Sequence, residues 1–253
     1  SCSRAIIRQM KAVETLGSTT VICSDKTGTL TTNQMTVKAL ATYDATYDVS
    51  GEGYKPSGSL KSNGEILGEE AMASLQREKP FRLLAAGLSL SHNAVVQELD
   101  GVWSAIGDPT DAACAVAGWK LNGDVTKFAS LHPRLHEQVF DSVRKRMSTV
   151  HEYEGERWLF VKGATSSLLP LCSQRFDGND TVAFDEDEAL GYRHRVGALA
   201  DRAMRVITFN LDTSCNERVV GTRRYVHHAF WSRFGEWRLT HRHHHLRQKG
   251  PRL

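Results

Sequence analysis

Asp25 follows the apolar run Val21-Ile22-Cys23 and opens the stretch Lys26-Thr27-Gly28-Thr29-Leu30-Thr31-Thr32-Asn33. A carboxylate is already ionised at neutral pH and can act as a nucleophile without a general base. Toward a polyphosphate its obstacle is charge repulsion, which the neighbouring Lys26 and a bound hard cation would reduce. Gly28 lets the backbone approach an anion closely, and the threonines supply hydroxyls. Val21–Cys23 predicts a strand buried on both faces, with Cys23 a small apolar strand residue. In an open α/β sheet, ligands sit just beyond the carboxyl ends of such strands. The stretch therefore suits phosphate chemistry at Asp25.

Three later segments have the composition of a site for a phosphorylated, ring-bearing molecule. Phe140-Asp141-Ser142-Val143-Arg144-Lys145-Arg146 joins an aromatic ring to a triply basic run, although Arg144-Lys145-Arg146 by itself reads as a solvated edge strand. Phe160-Val161-Lys162-Gly163-Ala164 places a lysine at a strand end and a glycine at the entry to a helix, bringing cationic and backbone donors together. Gly107-Asp108-Pro109-Thr110-Asp111 offers carboxylates at a helix start. Arg205, in Met204-Arg205-Val206, adds a further cation.

The run Asp25-Lys26-Thr27-Gly28-Thr29-Leu30-Thr31 resembles the phosphorylation signature of the P-type cation-transporting ATPases. The flanks Val13-Glu14-Thr15-Leu16-Gly17 and Thr32-Asn33-Gln34-Met35-Thr36-Val37 are similar to the calcium-pump (type II) branch. The resemblance covers about residues 4–211. It implies that Asp25 becomes an aspartyl-phosphate, and that Asp25 and the Thr27 backbone carbonyl bind Mg2+. It also implies that Phe140 stacks on the adenine of ATP, that Lys145, Lys162 and Gly163 line the nucleotide, that Asp111 contacts the adenine side and that Arg205 meets the phosphates. Three positions depart from the family: Ser142 where some members carry arginine, Thr165-Ser166 where Pro-Glu is usual, and Asp111 where glutamate is usual. In phosphatases of the same fold, a second aspartate stands where this chain has Thr27. Threonine cannot act as an acid there at neutral pH, so a longer-lived phosphoenzyme is implied.

The elements that must position these groups follow from pattern. Phe81–Leu90 is compactly apolar and reads as a helix. Leu99-Asp100-Gly101 between alternating runs predicts a hairpin, as does Glu154-Gly155-Glu156. Asp108 is placed as the N-cap of a helix through about Leu121, with Pro109 in its first turn. Strands are expected over residues 135–140, 147–153, 157–161 and 205–210, a short helix over 164–172, and a longer one over 185–203 with Asp185 and Glu188 spaced as a capping box. Pro56–Gly68, rich in Gly, Ser and Asn, reads as a surface loop.

The fold class expected is α/β: the start of a haloacid-dehalogenase-like (Rossmann-type) phosphorylation domain, with an inserted α+β nucleotide-binding domain on a mainly antiparallel sheet. Residues 1–37 are assigned to a stalk end and the first part of the phosphorylation domain, 38–208 to the nucleotide-binding domain, and 209–253 to a divergent tail. Residues 212–253 hold nine Lys/Arg against three Asp/Glu, leaving 23 basic and 26 acidic side chains in 1–211. The basic tail, with Trp231, Trp237 and His241-Arg242-His243-His244-His245, lacks apolar periodicity and is expected to pack poorly. A nucleic-acid partner is not assigned to it. Five scattered cysteines without a Cys-x-x-Cys pair point to reduced thiols in a cytosolic setting. No window approaches the roughly 18–20 apolar residues of a membrane span, and no signal peptide is read at the N-terminus.

The partners implied are ATP and, in a full-length pump, a transported cation (calcium on the flanks' similarity). That pump would sit in a membrane through helices this sequence lacks, with the present residues on its cytosolic face. Full pumps also carry Thr-Gly-Asp and Gly-Asp-Gly-x-Asn-Asp segments that this sequence does not show. The expectation is thus ATP binding without transport, and little or no phosphorylation, by this chain alone. A non-catalytic ATP-binding or interaction module and a soluble phosphatase of the same superfamily are the alternatives, the latter disfavoured by Thr27.

Overall fold

Beyond the threonine-rich run, the chain enters strand β1 (Met35–Ala41), whose residues are buried along almost their whole length. The structure is a computed structural model that describes residues 17–21, 23, 34–201 and 203–213, and the backbone of 225–234. Contacts divide the chain into two compact units, Asn33–Glu236 being the larger. In the other (Ser1–Thr32 with Trp237–Leu253), Asp25, Lys26 and Thr27, the stalk residues before Gly17 and the histidine cluster all lie outside the described residues. There the expectation of a buried strand at Val21–Cys23 is corrected: neither residue is in a strand, Val21 is 72% exposed, and Cys23 is exposed. A buried parallel strand needs neighbours on both edges and cover on both faces, and exposed Val21 and Cys23 lack that cover.

In the larger unit, β1 is followed by β2 (Thr46–Val49), β3 (Leu60–Ser62) and β4 (Glu65–Ile66), an antiparallel meander. Pro56–Gly68 is therefore not a plain loop, because Leu60 is buried in it and anchors β3. Helices α1 (Glu69–Leu75) and α2 (Lys79–Leu90) come next, then the hairpin β5 (Val95–Leu99) and β6 (Val102–Ile106). Its turn residues Asp100 and Gly101 both have positive φ, 50° and 77°, as a tight two-residue turn requires. Helix α3 (Pro109–Asn122) and α4 (Val125–Leu131) precede the meander β7 (Arg134–Asp141), β8 (Arg146–Tyr153) and β9 (Glu156–Gly163). The chain continues through α5 (Thr165–Leu168), β10 (Gln174–Asp177), β11 (Asp180–Ala183), α6 (Glu186–Ala200), β12 (Met204–Asp212) and β13 (Tyr225–Phe234). The expected capping box is present: Asp185 accepts from the Glu188 N–H, and the Glu188 carboxylate accepts from the Asp185 N–H.

One large sheet runs in the order β4-β3-β2-β1-β13-β12-β9-β8-β7, with β10 and β11 attached beside β13. Only β10 with β13 is a parallel pair among the described strands. The fold is thus α/β on a mainly antiparallel sheet. Alternation along β9 and β12 sends side chains to two different cores. Phe160, Phe209 and Leu211 pack toward α2, whereas Leu159 and Val161 meet Leu168 of α5, and Val206 meets Leu169 and Tyr192. Helix α2 is buried nearly all round: Phe81, Leu84 and Leu88 join one cluster, Leu83, Ala86 and Leu90 another. It lies close against α3, where a Cβ on Gly118 would stand 2.8 Å from Ser89 Cα.

A poorly packed tail is not what the backbone of residues 225–234 shows. That segment is a ten-residue strand lying between β1 and β12 and antiparallel to both. Strand pairing satisfies backbone donors and acceptors whatever the side chains are, so a faded apolar pattern does not forbid it.

Buried titratable groups give this core a pH signature. His151, on β8, is packed against Phe160, and its Nδ1 is 3.1 Å from the His132 carbonyl. Burial lowers its pKa from 6.5 to about 4. Unfolded, the ring takes up a proton near 6.5; folded, only near 4. Stability is therefore full above pH 6.5 and declines as pH falls toward 4. The melting temperature should fall steadily between pH 7 and pH 5, and His151→Phe should flatten that decline.

Candidate functional site

Lys162 is the penultimate residue of β9 and only 5% exposed. A buried ammonium needs a partner, and Asp111 provides it: Lys162 Nζ lies 2.6 Å from Asp111 Oδ1. Cys114, one helical turn on from Asp111, sits 3.9 Å from the same ammonium, and burial pushes its thiol up to about 12, so it stays protonated. Asp111 is held in turn by the start of α3. Asp108 caps that helix by accepting from the Thr110 and Asp111 N–H groups, at 2.7 and 3.4 Å. The second Asp111 carboxylate oxygen, Oδ2, accepts from the Asn93 N–H at 2.8 Å. Asp108→Ala should cost about 1 kcal/mol, the usual value of an N-cap, measurable by urea unfolding.

Strand register brings the other groups to the same end of the sheet. Asp141 pairs with Arg146, Arg146 with Gly163, and Gly163 with Thr208. Phe140, on β7, and Lys145, in the β7–β8 connection, flank that row and so lie toward the same end of the sheet as Lys162. Phe140 is 61% exposed, an aromatic ring left open to solvent. In the connection, Asp141 Oδ1 accepts from the Val143 and Arg144 N–H groups, and Lys145 N–H donates to the Asp141 carbonyl. This tight turn leaves Lys145 with a φ of 53°.

The three basic residues divide by use. Arg144 donates to Gln138 and the Val139 carbonyl, and Arg146 to Ser167 and the Arg144 carbonyl. The Lys145 ammonium is exposed and has no carboxylate or hydrogen-bond partner among the described residues. Arg205 lies on β12 beyond the row, exposed, with Nη1 3.4 Å from Thr110 Oγ1, next to Asp111. The end of the sheet thus gathers an exposed ring, two exposed cations and a buried Lys–Asp pair. Such an arrangement can stack a heterocycle and neutralise a polyanion.

Gly163 has a packing reason to be glycine. A Cβ there would stand 2.5 Å from the Lys145 carbonyl and 2.6 Å from Arg146 Cβ, and the next amide, Ala164 N–H, donates to that carbonyl at 3.0 Å. Thr165-Ser166 follow, and the Thr165 hydroxyl is spent inside, 2.8 Å from Thr208 Oγ1. Ser142 is exposed.

The model of the P-type ATPase, cytoplasmic domain N, matches residues 81–231. The chain belongs to this family. That match spans every described residue of the gathered site and extends through most of β13. Among curated proteins, the chain is 38% identical over 209 residues to the cation-transporting ATPase pma1 of Synechocystis sp., covering 81% of this chain and 22% of that protein. It is 33% identical over 206 residues to a calcium-transporting ATPase of Bacillus subtilis, with the same coverages. To the endoplasmic reticulum calcium ATPase srcA of Aspergillus fumigatus it is 34% identical over 208 residues, covering 71% and 21%. The chain spans about a fifth of the length of these relatives. No helix among the described residues is long and apolar enough to cross a membrane.

Sequence reasoning named Asp111, Phe140, Lys145, Lys162, Gly163 and Arg205, and the structure puts all six at one end of the sheet. It missed the shell that holds Asp111. Arg134 donates to the carbonyls of Leu90 and His92 and to Asn93 Oδ1, and pairs with Glu137 at 2.9 Å. Leu90, His92 and Asn93 are more than 40 residues from Arg134, so no local spacing betrays those bonds.

Proposed function

We propose that this chain is the ATP-binding portion, together with the phosphoryl-acceptor segment, of an ATP-driven cation transporter that works at the cytosolic face of a membrane. Calcium is the favoured cation, because relatives named as calcium-transporting ATPases recur at 32–35% identity. In this reading residues 1–37 begin a haloacid-dehalogenase-like phosphorylation domain and residues 38–208 form the nucleotide-binding domain.

The observation that carries the proposal is the convergence of Phe140, Lys145, Arg205 and the Lys162–Asp111 pair at one sheet end. Phe140 stacks on the adenine face. Lys145 and Arg205, both exposed, neutralise the phosphates. Lys162 lies along the nucleotide with its charge oriented by Asp111, and the Gly163 backbone allows close approach. Asp25 receives the γ-phosphoryl group, with Lys26 offsetting repulsion and Thr27 leaving no acid to hasten hydrolysis. A carboxylate and a peptide carbonyl are hard oxygen donors that suit Mg2+; when bound through Asp25 and Thr27, the ion supplies charge neutralisation to the phosphates.

The test is calorimetric binding of a non-hydrolysable ATP analogue to the chain, compared with Lys145→Ala. Loss of one exposed, unpaired ammonium should weaken binding about tenfold, on the scale of a charge-assisted hydrogen bond, without lowering the melting temperature. Unchanged affinity would remove Lys145 from the site.

A further inference from the structure

Phe140 sits where β7 is irregular. Gln138 pairs with Ser148 and Asp141 with Arg146, so Val139 and Phe140 together stand opposite the single residue Met147. Two residues against one is a β-bulge, which bends its strand and re-aims side chains; bulges gather at sheet edges and beside active sites. Strand β7 is the last in the order of the large sheet. Both bulge side chains are exposed, and Phe140 joins none of the apolar clusters among the described residues. Packing therefore does not fix its ring. The backbone has to.

One guanidinium holds that backbone. Arg144 donates to the Val139 carbonyl at 3.0 Å and to Gln138 Oε1 at 2.8 Å, and its Nε lies 3.7 Å from Asp141 Oδ2. The residues it engages flank Phe140 on both sides in the chain. Arg144 is itself anchored: its N–H donates to Asp141 Oδ1 at 3.1 Å, and its carbonyl accepts from Ser167 Oγ on α5 and from Arg146 Nη1. A planar fork of donors can serve two acceptors at once, which a lysine cannot copy.

We propose that Arg144 is a positioning residue of the nucleotide site, locking the β7 bulge so that the Phe140 ring is held ready to stack on the base. This rests on the ATP-binding reading above. Direct pairing of Arg144 with phosphate is the competing use of a cation here. The division of groups disfavours it, since the Arg144 donors are already engaged, whereas the Lys145 ammonium next to it has no partner among the described residues. A ring ordered before ligand arrives leaves less ordering to the binding step.

The experiment is a double-mutant cycle on the full chain, reading calorimetric affinity for a non-hydrolysable ATP analogue together with melting temperature. Phe140→Ala should weaken binding about tenfold, the scale of base–aromatic stacking. Arg144→Met should weaken it about fivefold, the scale of ordering one side chain on binding, and Arg144→Lys should recover part of that loss. The double variant should bind about as well as Phe140→Ala alone, because a clamp with no ring to hold is idle. Lys145→Ala, in contrast, should multiply with Phe140→Ala. A folded Arg144→Met with unchanged affinity, or losses at Arg144 and Phe140 that multiply, overturns the positioning role. If Arg144→Met does not fold, Gln138→Ala decides: loss of one acceptor should weaken binding about twofold with Phe140 present and not in its absence, and unchanged affinity with Phe140 present overturns the clamp. No analogue binding to the unaltered chain overturns the nucleotide reading itself, and this inference with it.

Discussion

Lys162→Ala should both destabilise the fold and abolish measurable binding of an ATP analogue. The ammonium is 2.6 Å from Asp111 Oδ1, with side-chain exposures of 6% and 15%. Removing one member of a buried ion pair leaves the other charge without its counterion, which typically costs 3–5 kcal/mol. Here about 3 kcal/mol is expected, near the low end of that range, since Asp111 keeps the Asn93 N–H and some contact with water. Urea unfolding of Lys162→Ala, Asp111→Asn and Lys162→Met with Asp111→Asn separates charge from packing. The double variant should regain much of the loss, because no buried charge is stranded. Its ATP affinity should stay poor, because the ammonium is gone. Recovery of binding together with stability would show that Lys162 is only a packing group.

Gly163→Ala is the second large effect, and its cause is steric rather than electrostatic. The added methyl would fall 2.5 Å from the Lys145 carbonyl and 2.9 Å from Arg146 Cα, atoms of the neighbouring backbone that cannot swing aside. Overpacking of this kind costs about 1–3 kcal/mol, and the upper end is expected, since relief requires β8 and β9 to part. The Ala164–Lys145 hydrogen bond would stretch with it, moving Lys145. Gly191→Ala on α6 is the contrast: nothing lies within 4 Å of its added Cβ. That change should be neutral or stabilising by about 0.5–1 kcal/mol, through helix propensity. Thermal unfolding of the two variants should separate in opposite directions.

Elements with local chemistry were legible before the structure. Asp100-Gly101 and Glu154-Gly155 both turn with positive φ, and Asp108 and Asp185 both cap helices, because those side chains and that backbone freedom act within a few residues. Elements held by distant partners were not. Leu60 turns a Gly- and Ser-rich stretch into a strand by burying itself, which composition does not reveal. Strand β13 owes its place to the free edges of β1 and β12 rather than to its own pattern. At the site the same division holds. Lys162, Gly163, Asp111 and Lys145 announced themselves through residue type and order, whereas His92, Asn93 and Arg134 matter only through bonds across the fold.

The central claim is that nucleotide sits at the sheet end marked by Phe140, Lys145 and Lys162. Photolabelling with 8-azido-ATP, followed by peptide mapping, tests it most directly. The account predicts ATP-protectable adducts within residues 138–146, around Lys162, or on the start of α3. Protectable labelling confined to any other part of the chain, or none at all, would contradict it.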